Sequence, residues 1–294
     1  MSTGIYDKED ALGSRCLVMG ILNVTPDSFS DGGRYLNFDS ALSHATEMID
    51  QGADIIDIGG ESTRPGAEPV PEDVELSRVI PLIKELSGTV RISIDTTKQN
   101  VALEAVSNGA TLINDVSASL EAIAGKEGVG WIAMHSRGNP KTMSQLTEYQ
   151  DLIGQVRSFL KSCVIRGREC GVDEIYVDPG IGFAKTVDQN LQLIAKIDEI
   201  VKDGTPVLLG ASRKSFLGNL ASWPSYQYFQ NVRLTDSTFN ADFPFEIPLS
   251  DTGTVGPVDR DDASLGVACW AIASKVSIVR VHQVGPAVAA SRLI

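Results

Sequence analysis

Eight short apolar segments, separated by stretches with helical spacing, constrain the fold of this chain more than any other feature of its sequence. Most of them are continuous, β-branched runs, which is typical of strands buried on both faces of a parallel sheet. Eight such strands alternating with helices predict an α/β fold, a (β/α)8 barrel formed by a single domain over residues 1–294. The segments are CLVMGILN from Cys16, DIIDIGG from Asp54, RISIDT from Arg91, LINDVS from Leu112, GWIAMHS from Gly130, IYVDPGIG from Ile175, PVLLGAS from Pro206 and SIVRVHQV from Ser277.

Three of the intervening stretches carry clear helix signals. The first begins at a cap-like Asp39 and stops at Gly52. The second, 71–88, has acidic residues in its first turn, and the third, 186–204, has apolar residues at helical spacing. The main alternative architecture is an open doubly wound sheet, which would carry a glycine-rich fingerprint after its first strand. The sequence has no such fingerprint there, so the pattern favours the barrel.

Every predicted strand ends in polar residues. The carboxyl ends of barrel strands meet at one face of the molecule, where barrel enzymes have their active sites. A single polar strand end often only caps the following helix, but capping alone does not readily explain eight strand ends out of eight. The residues are Asn23, Asp57, Asp95, Asn114 with Asp115, His135, Asp178, Ser212 with Arg213 and Lys214, and Arg280 with His282.

Composition narrows the classes of partner. The formal net charge is −13, which argues against nucleic acid and anionic membranes as main partners. No apolar run reaches the length of a membrane span, and the N-terminus lacks a signal-peptide pattern. The four cysteines show no metal-binding spacing, so we expect a cytoplasmic protein with reduced cysteines.

The segment 222–262 interrupts the alternation between the seventh and eighth strands. It has neither helical nor convincing strand periodicity, and it carries seven aromatic residues between Trp223 and Phe245. Flexible linkers are poor in aromatic residues, so we expect much of this segment to be packed. Three interpretations remain open: an insertion on the flank of the barrel, which is favoured, a contact between subunits, or a lid over the active site.

Seven motifs of the chain resemble those of the dihydropteroate synthases in order and place. The resemblance covers about residues 17–218 and 263–284. It implies a TIM barrel that works as a homodimer and condenses two small-molecule substrates, 6-hydroxymethyl-7,8-dihydropterin diphosphate and 4-aminobenzoate, to 7,8-dihydropteroate and diphosphate in folate synthesis. The motifs are GILNVTPDSFSDGGRY, GADIIDIGGESTRPGA, SIDTTK, LINDVSA, YVDPGIGFAKT, GASRKSFLG and VRVH.

The resemblance implies a pterin pocket at the strand ends. Asp178 resembles the carboxylate that accepts two hydrogen bonds from the N3–H and 2-amino edge of the pterin ring. Lys214 resembles the lysine that reaches the carbonyl and ring nitrogen of the pterin, and Asp95 and Asn114 resemble the pair on the other side of the ring. Each residue also has a purely structural interpretation. This is helix capping for Asp95 and Asn114, capping of the following loop for Asp178 and a surface position for Lys214.

The resemblance also implies a diphosphate site at Asn23, Arg64, Arg280 and His282, with Mg2+ bound at Asn23. Because Mg2+ prefers few protein ligands together with phosphate oxygens, the sequence needs no carboxylate cage for it. Arg280 alternates with two valines on its strand, which by itself favours an inward side chain. The residues implied to be catalytic are Asn23, Asp95, Lys214 and Arg280.

The implied aminobenzoate pocket lies between two loops. The carboxylate of aminobenzoate is expected near Ser215, at the N-terminus of a helix, where free N–H groups favour an anion. Thr63, Pro65 and Phe29 are expected to wall the same pocket. The first loop is polar and rich in glycine, so we expect it to be mobile and to close over the site. Its residues are Thr25, Pro26, Asp27, Ser28 and Phe29.

The implied mechanism is dissociative, with departure of diphosphate before attack by the aniline nitrogen. The sequence has no GxSxG or HExxH motif for a protein nucleophile or zinc. One rival is a pterin-dependent methyl transferase of the same superfamily, but the SRKSF and ESTRPG motifs favour the synthase. A second rival is a non-catalytic pterin-binding paralogue, which would be expected to lose diphosphate-binding residues that this chain keeps.

Three departures from the family pattern limit the resemblance. Ser136 stands in MHSRG, where the family usually has a second Met. Gln283 follows His282 where Asp is common, so the hydrogen bond that orients His282 is expected to change. The third departure is the segment 222–262.

Overall fold

Eight parallel strands form one sheet in the computed structural model, which describes residues 15–25, 34–64, 66–221 and 260–294. Each strand falls within one of the eight apolar segments, so the predicted (β/α)8 architecture is confirmed. The strands are β1 Leu17–Asn23, β2 Ile55–Gly59, β3 Arg91–Asp95, β4 Leu112–Asp115, β5 Gly130–Met134, β6 Ile175–Asp178, β7 Leu208–Leu209 and β8 Ile278–Val281.

The sheet closes into a barrel. Strands β1 to β6 pair with their neighbours in sequence, and β8 pairs with both β1 and β7. The last seam, between β6 and β7, is closed by a parallel bridge between Val177 and Val207. There the N–H of Val177 donates to the carbonyl oxygen of Pro206 at 3.0 Å.

Helices follow the strands around the barrel. They are α1 Arg34–Asp50, α2 Glu72–Leu86, α3 Gln99–Ser107, α4 Glu121–Glu127, α5 Leu152–Glu169, α6 Val187–Ala195, α7 Ile197–Val201, α8 Ser215–Ala221, α9 Asp261–Ala273 and α10 Val284–Leu293. Within the described ranges, no helix is long and apolar enough to cross a bilayer.

Three expectations about the bounds of these elements were wrong. The first helix begins at Arg34, so Asp39 is an exposed position inside α1 and not its cap. The stretch 186–204 divides into α6 and α7 because Lys196 leaves the helical conformation, with φ −108° and ψ 23°. Asp261 and Asp262 form the first turn of α9, so the irregular segment ends before them. The rest of that segment, 222–259, lies outside the described residues.

Strand side chains alternate between the barrel interior and the layer beneath the helices. The outer layer is the larger core, in which residues such as Ile56, Ile113 and Trp131 pack against the helices. Below the polar residues at the carboxyl ends of the strands, buried apolar side chains fill the interior. The barrel is therefore a packed core and not a pore. These side chains are Met19, Ile55, Leu112, Ile132, Tyr176, Leu208 and Ile278.

An ion pair lies at the amino-terminal end of the barrel. The Arg91 guanidinium donates twice to the Glu174 carboxylate, at 2.8 and 2.6 Å. The Tyr176 hydroxyl donates to the same carboxylate at 2.8 Å. This end of the barrel is therefore filled by paired polar side chains, and the polar strand ends lie at the opposite, carboxyl end.

Two of the polar strand-end side chains do not point into the carboxyl end of the barrel. Asp115 points outward, and its carboxylate accepts hydrogen bonds from the backbone N–H groups of Ser117, Ser119 and Leu120 at 2.7–2.9 Å and from the Trp131 indole at 3.1 Å. The ring of His135 also packs outward, edge-on to Phe159 of α5, with the ring centroids 5.0 Å apart. The expectation that every strand brings a polar side chain to the active-site face was therefore wrong for β5, whose inward residue is Met134.

Replacing Asp115 by Asn tests its structural role. The buried carboxylate only accepts hydrogen bonds, so an amide would turn an N–H2 group toward at least one N–H donor and leave it unpaired. We expect the free energy of unfolding to fall by about 3 kcal/mol, measured by urea unfolding. Turnover per folded molecule should stay unchanged, and a large loss of turnover in a stable variant would contradict the assignment.

Candidate active site

Polar side chains converge at the carboxyl end of the barrel. Most come from the last inward position of a strand, and the strand register brings them side by side. It pairs Asp95 of β3 with Gly59 of β2 and with Asn114 of β4. The side chains that form this mouth are Asn23, Asp57, Asp95, Asn114, Asp178, Lys214 and Arg280.

The Arg280 guanidinium lies at the centre of the mouth and is shared by two carboxylates. Its Nε donates to Asp57 Oδ2 at 2.6 Å, and one terminal nitrogen donates to Asp95 Oδ2 at 2.8 Å. The Asn114 amide also donates to Asp57 Oδ2, at 2.9 Å. Asp57 is completely buried, and it orients both Arg280 and Asn114. In the sequence, Asp57 stands out only as a polar strand end and not as a candidate site residue.

Because two carboxylates share one guanidinium, one oxygen of each remains available as a hydrogen-bond acceptor. Asp57 Oδ1 and Asp95 Oδ1 make no hydrogen bond with any residue that the structure describes, although both atoms are buried. Burial raises the pKa of Asp95 to about 7, with the Asp57 charge adding to the shift and Arg280 opposing it. A buried carboxylate of this kind is ready to bind a ligand that brings donors or positive charge.

Asp178 and Lys214 form the opposite wall of the mouth. The Gly180 N–H donates to Asp178 Oδ1 at 2.7 Å, and the Lys214 ammonium donates to the carbonyl oxygen of Ile181. Burial raises the pKa of Asp178, and the positive charge of Lys214 opposes this shift. Desolvation lowers the pKa of Lys214 to about 8, against the attraction of Asp178. The two groups therefore stabilise each other's charged form in a poorly solvated place.

The loop after β6 carries this wall, and a glycine is required in it. Gly182 has φ +82°, and a Cβ at this position would lie 2.9 Å from Lys214 Cδ. Lys185, which no sequence pattern marked, supports the loop on its outer side. Its ammonium donates to the carbonyl oxygens of Gly180 and Phe183, each at 2.9 Å, and lies 3.0 Å from His135 Nδ1. The outward-facing His135 thus supports the loop that carries the site.

His282 and Arg64 lie toward the rim. The Ser212 hydroxyl is 3.0 Å from His282 Nδ1 and accepts the His282 backbone N–H at 3.2 Å. Burial lowers the pKa of His282 to about 3, and nearby positive charges, including Arg64, add to the effect. The ring is therefore neutral. Ser212 orients it, while the Gln283 amide donates elsewhere, to Asp261 at 2.8 Å.

The remaining predicted residues occupy loop positions around the mouth. Asn23 ends β1 half-buried, and its Oδ1 would lie 3.6 Å from a Cβ on Gly59. Thr63 is half-buried in the loop after β2, and Ser215 is the exposed first residue of α8. Thr25 is half-buried at the end of a described range. Pro65 and the loop residues Pro26, Asp27, Ser28 and Phe29 lie outside the described residues.

The donor set fits only a sparsely coordinated metal. No group of three or more His, Cys, Asp or Glu side chains with the geometry of a metal site occurs in the described ranges. Mg2+ keeps several waters and is often bound through one or two protein oxygens together with phosphate. The Asn23 amide oxygen fits such a single protein ligand.

Comparison with known proteins gives one consistent family. The model of the family described as pterin binding enzyme matches residues 19–282. The chain is 42% identical to the dihydropteroate synthase of Synechocystis over 92% of this chain and 86% of that protein. It is also 42% identical to the dihydropteroate synthase of Bacillus subtilis, over 95% of this chain and 88% of that protein.

Solved structures agree with the sequence relatives. A Clostridium difficile dihydropteroate synthase crystallised in the presence of pteroic acid has a TM-score of 0.79 and 38% identity, covering 96% of each chain. A Xanthomonas albilineans dihydropteroate synthase with 4-aminobenzoic acid has a TM-score of 0.77 and 34% identity, covering 95% of this chain and 92% of that chain.

The raised pKa of Asp95 predicts a specific pH dependence of stability. The unfolded carboxyl loses its proton near pH 4, whereas the folded chain keeps this proton up to about pH 7. The proton therefore stabilises the fold fully below pH 4, and this contribution is lost as the pH rises to 7. Relative to Asp95→Asn, we expect the wild-type free energy of unfolding to fall by about 4 kcal/mol over this range.

Urea unfolding of both proteins at a series of pH values measures this difference. The Asn variant keeps an acceptor for Arg280, so it serves as a neutral reference. A difference that rises with pH between 4 and 7 would show that Asp95 is held ionised instead.

Proposed function

The chain belongs to the pterin binding enzymes and, among them, to the dihydropteroate synthases, and we propose that the mouth described above carries out its reaction. The enzyme condenses 6-hydroxymethyl-7,8-dihydropterin diphosphate with 4-aminobenzoate, releasing diphosphate and forming 7,8-dihydropteroate. The observation that supports this assignment of the site is the convergence of Asp57, Asp95 and Asp178 with Arg280 and Lys214 at one end of the barrel.

Asp178 is the proposed anchor of the pterin ring. A pterin presents N3–H and the 2-amino group as adjacent donors, and a buried carboxylate accepts both. Gly180 already holds one oxygen of Asp178, which fixes the plane of the carboxylate. Asp95 and Asn114 would bind the other side of the ring, where the second oxygen of Asp95 is an available acceptor. Lys214 would donate to the carbonyl and ring nitrogen.

The diphosphate would bind at the rim, to Asn23, Arg64, Arg280 and His282. Because Ser212 lies against Nδ1 of the neutral His282 ring, the tautomer with a proton on Nε2 would present a donor to a phosphate oxygen. Arg280 links this region to the pterin pocket, since its other contacts are Asp57 and Asp95. Mg2+, held by Asn23, would neutralise negative charge on the leaving group when bound.

The proposed chemistry is dissociative. The bond between the exocyclic methylene carbon and the diphosphate oxygen breaks, and its electron pair leaves with diphosphate. The methylene cation is stabilised by the electron-rich ring and by the nearby negative charge of Asp178. The aniline nitrogen then forms the C–N bond and releases a proton. The protein contributes positioning, charge and exclusion of water.

The aminobenzoate site is proposed at the rim beside the departing diphosphate. Thr63 and Ser215 would contact it, with Ser215 offering helix N–H groups to the carboxylate. Pro65 and Phe29 would complete the pocket, and the loop residues Thr25, Pro26, Asp27 and Ser28 would close over it with Phe29. Lys98 supports the loop after β2, since its ammonium donates to both Glu61 and Glu75.

Replacing Asp178 by Asn tests the pocket. The amide keeps the shape of the side chain but loses one acceptor and the charge, so we expect pterin affinity to fall on the order of 100-fold. The measurement is calorimetric titration with pterin diphosphate and Mg2+, together with diphosphate release in the presence of aminobenzoate. Asp73→Asn, an exposed aspartate on α2, is the matched control and should behave like wild type.

Two outcomes would count against the proposal. Unchanged pterin affinity in folded Asp178→Asn would reject the pocket assignment. A folded wild-type protein that binds pterin diphosphate but releases no diphosphate with aminobenzoate and Mg2+ would reject the catalytic role of the site.

We also propose that the chain works as a homodimer in the cytoplasm. The family resemblance supports this, and Trp270 of α9 and Leu293 of α10 expose 46% and 86% of their surface on helices that contact each other.

Light scattering at micromolar concentration tests the assembly. We expect a mass of two chains, because two exposed apolar side chains on adjoining helices favour burial against a second copy. A mass of one chain across the concentration range would contradict the dimer.

A further inference from the structure

Asp261, the first residue of α9, binds side chains from two different loops of the barrel mouth. Its Oδ1 accepts from Arg213 Nε at 2.6 Å, and its Oδ2 accepts from a terminal nitrogen of Arg213 at 2.8 Å. The Gln283 amide donates to Oδ2 as well, at 2.8 Å. The Arg213 guanidinium holds the pKa of Asp261 below its usual range, so this carboxylate is charged. None of these three residues has a role in the chemistry proposed above.

The main chain of Arg213 is bound by the same part of the molecule. The Arg213 N–H donates to Ser264 Oγ at 2.9 Å, and the Arg213 carbonyl accepts from Arg260 at 3.0 Å. Ser264 Oγ in turn donates to the carbonyl oxygen of Arg260 at 2.7 Å. Both the side chain and the backbone of Arg213 are therefore fixed by the start of α9.

Arg213 needs this support because its backbone is in the left-handed region, with φ 57°. This conformation is unfavourable for a residue with a long side chain and persists where the surroundings impose it. It also sets the course of the chain between two residues of the site. Ser212, on one side, contacts His282. Lys214, on the other side, forms one wall of the mouth together with Asp178.

We propose that Asp261 is a positioning residue for the synthase reaction. Its carboxylate holds Arg213 in the left-handed conformation, and this directs the Ser212 hydroxyl to His282 and the Lys214 ammonium into the pocket. The inference rests on the roles proposed above for Lys214 and His282. It also explains the neutral side chain at Gln283, because an amide donates to Asp261 where a second carboxylate would repel it.

Asp261→Asn tests the proposal directly. It weakens the bidentate pair, so Arg213 loses the partner that fixes its geometry. We expect kcat/KM for pterin diphosphate to fall on the order of 10-fold, with most of the loss in kcat, because displaced catalytic groups cost rate more than binding. The neighbouring exposed Asp262→Asn, with the same charge change, should keep wild-type kinetics and is the control.

A rescue variant separates the carboxylate's effect from general damage. Gln283 and Arg213 donate to the same oxygen of Asp261, so a carboxylate at position 283 lies within reach of the guanidinium. We expect the double variant Asp261→Asn/Gln283→Glu to recover activity to within about 3-fold of wild type. Failure of this rescue would overturn the claim that the partner of Arg213 is what matters.

Two further variants keep the test decisive. Arg213→Gly tolerates the left-handed backbone and removes the ion pair. Adding Asp261→Asn to this variant should therefore cost no further activity. The double variant should also fold, even if Asp261→Asn alone does not. A further loss in this double variant would overturn the proposal. Lys214→Met separates a failure of the positioning role from a failure of the proposed site. If it is inactive while Asp261→Asn is normal, only the positioning role is wrong, whereas an active Lys214→Met would refute the site assignment itself.

Discussion

The buried guanidinium of Arg280 is the interaction on which the organisation of this barrel mouth depends. A charge in the barrel interior is tolerated only when it is paired and hydrogen-bonded, and Arg280 meets this requirement with Asp57 and Asp95 from two neighbouring strands. Two carboxylates for one guanidinium leave the cluster with an excess of acceptors. That excess makes the mouth suited to a ligand that is rich in N–H donors.

In the second wall of the mouth, buried charges are again tolerated because they are paired. Asp178 and Lys214 come from different strand ends, and burial disfavours the charge of each. Each therefore depends on the other and on loop carbonyl and N–H groups for its charged form. Arg64 places positive charge at the rim, near His282, although the whole chain has a net charge of −13.

Much of this arrangement could be predicted from the sequence, because strand periodicity fixes which residues face inward. Arg280 alternates with valines, and its inward direction followed from that pattern alone. The prediction of inward side chains failed at two strand ends, where a shift of one residue along the strand moves the side chain to the other face of the sheet. Asp115 and His135 each stand one position beyond an inward residue, so their side chains point outward. Asp115 binds the N–H groups of the following loop, and His135 contacts Lys185, which supports the loop after β6.

The contacts between distant segments could not be predicted in the same way. Asp57 and Arg280 are 223 residues apart, and only closure of the barrel brings them together. Likewise, Asp261 lies 48 residues from Arg213, beyond a segment whose sequence shows no periodicity. The sequence marked Gln283 as unusual, but the reason is a contact that no local pattern encodes.

A crystal structure of the enzyme with bound pterin diphosphate and Mg2+ tests the central claim most directly. We expect the N3–H and 2-amino edge of the ring within about 3 Å of the Asp178 carboxylate. The diphosphate should lie against His282, and Arg280 should remain bonded to Asp57. A pterin ring bound away from Asp178, or a guanidinium turned away from Asp57 on binding, would contradict this description of the site.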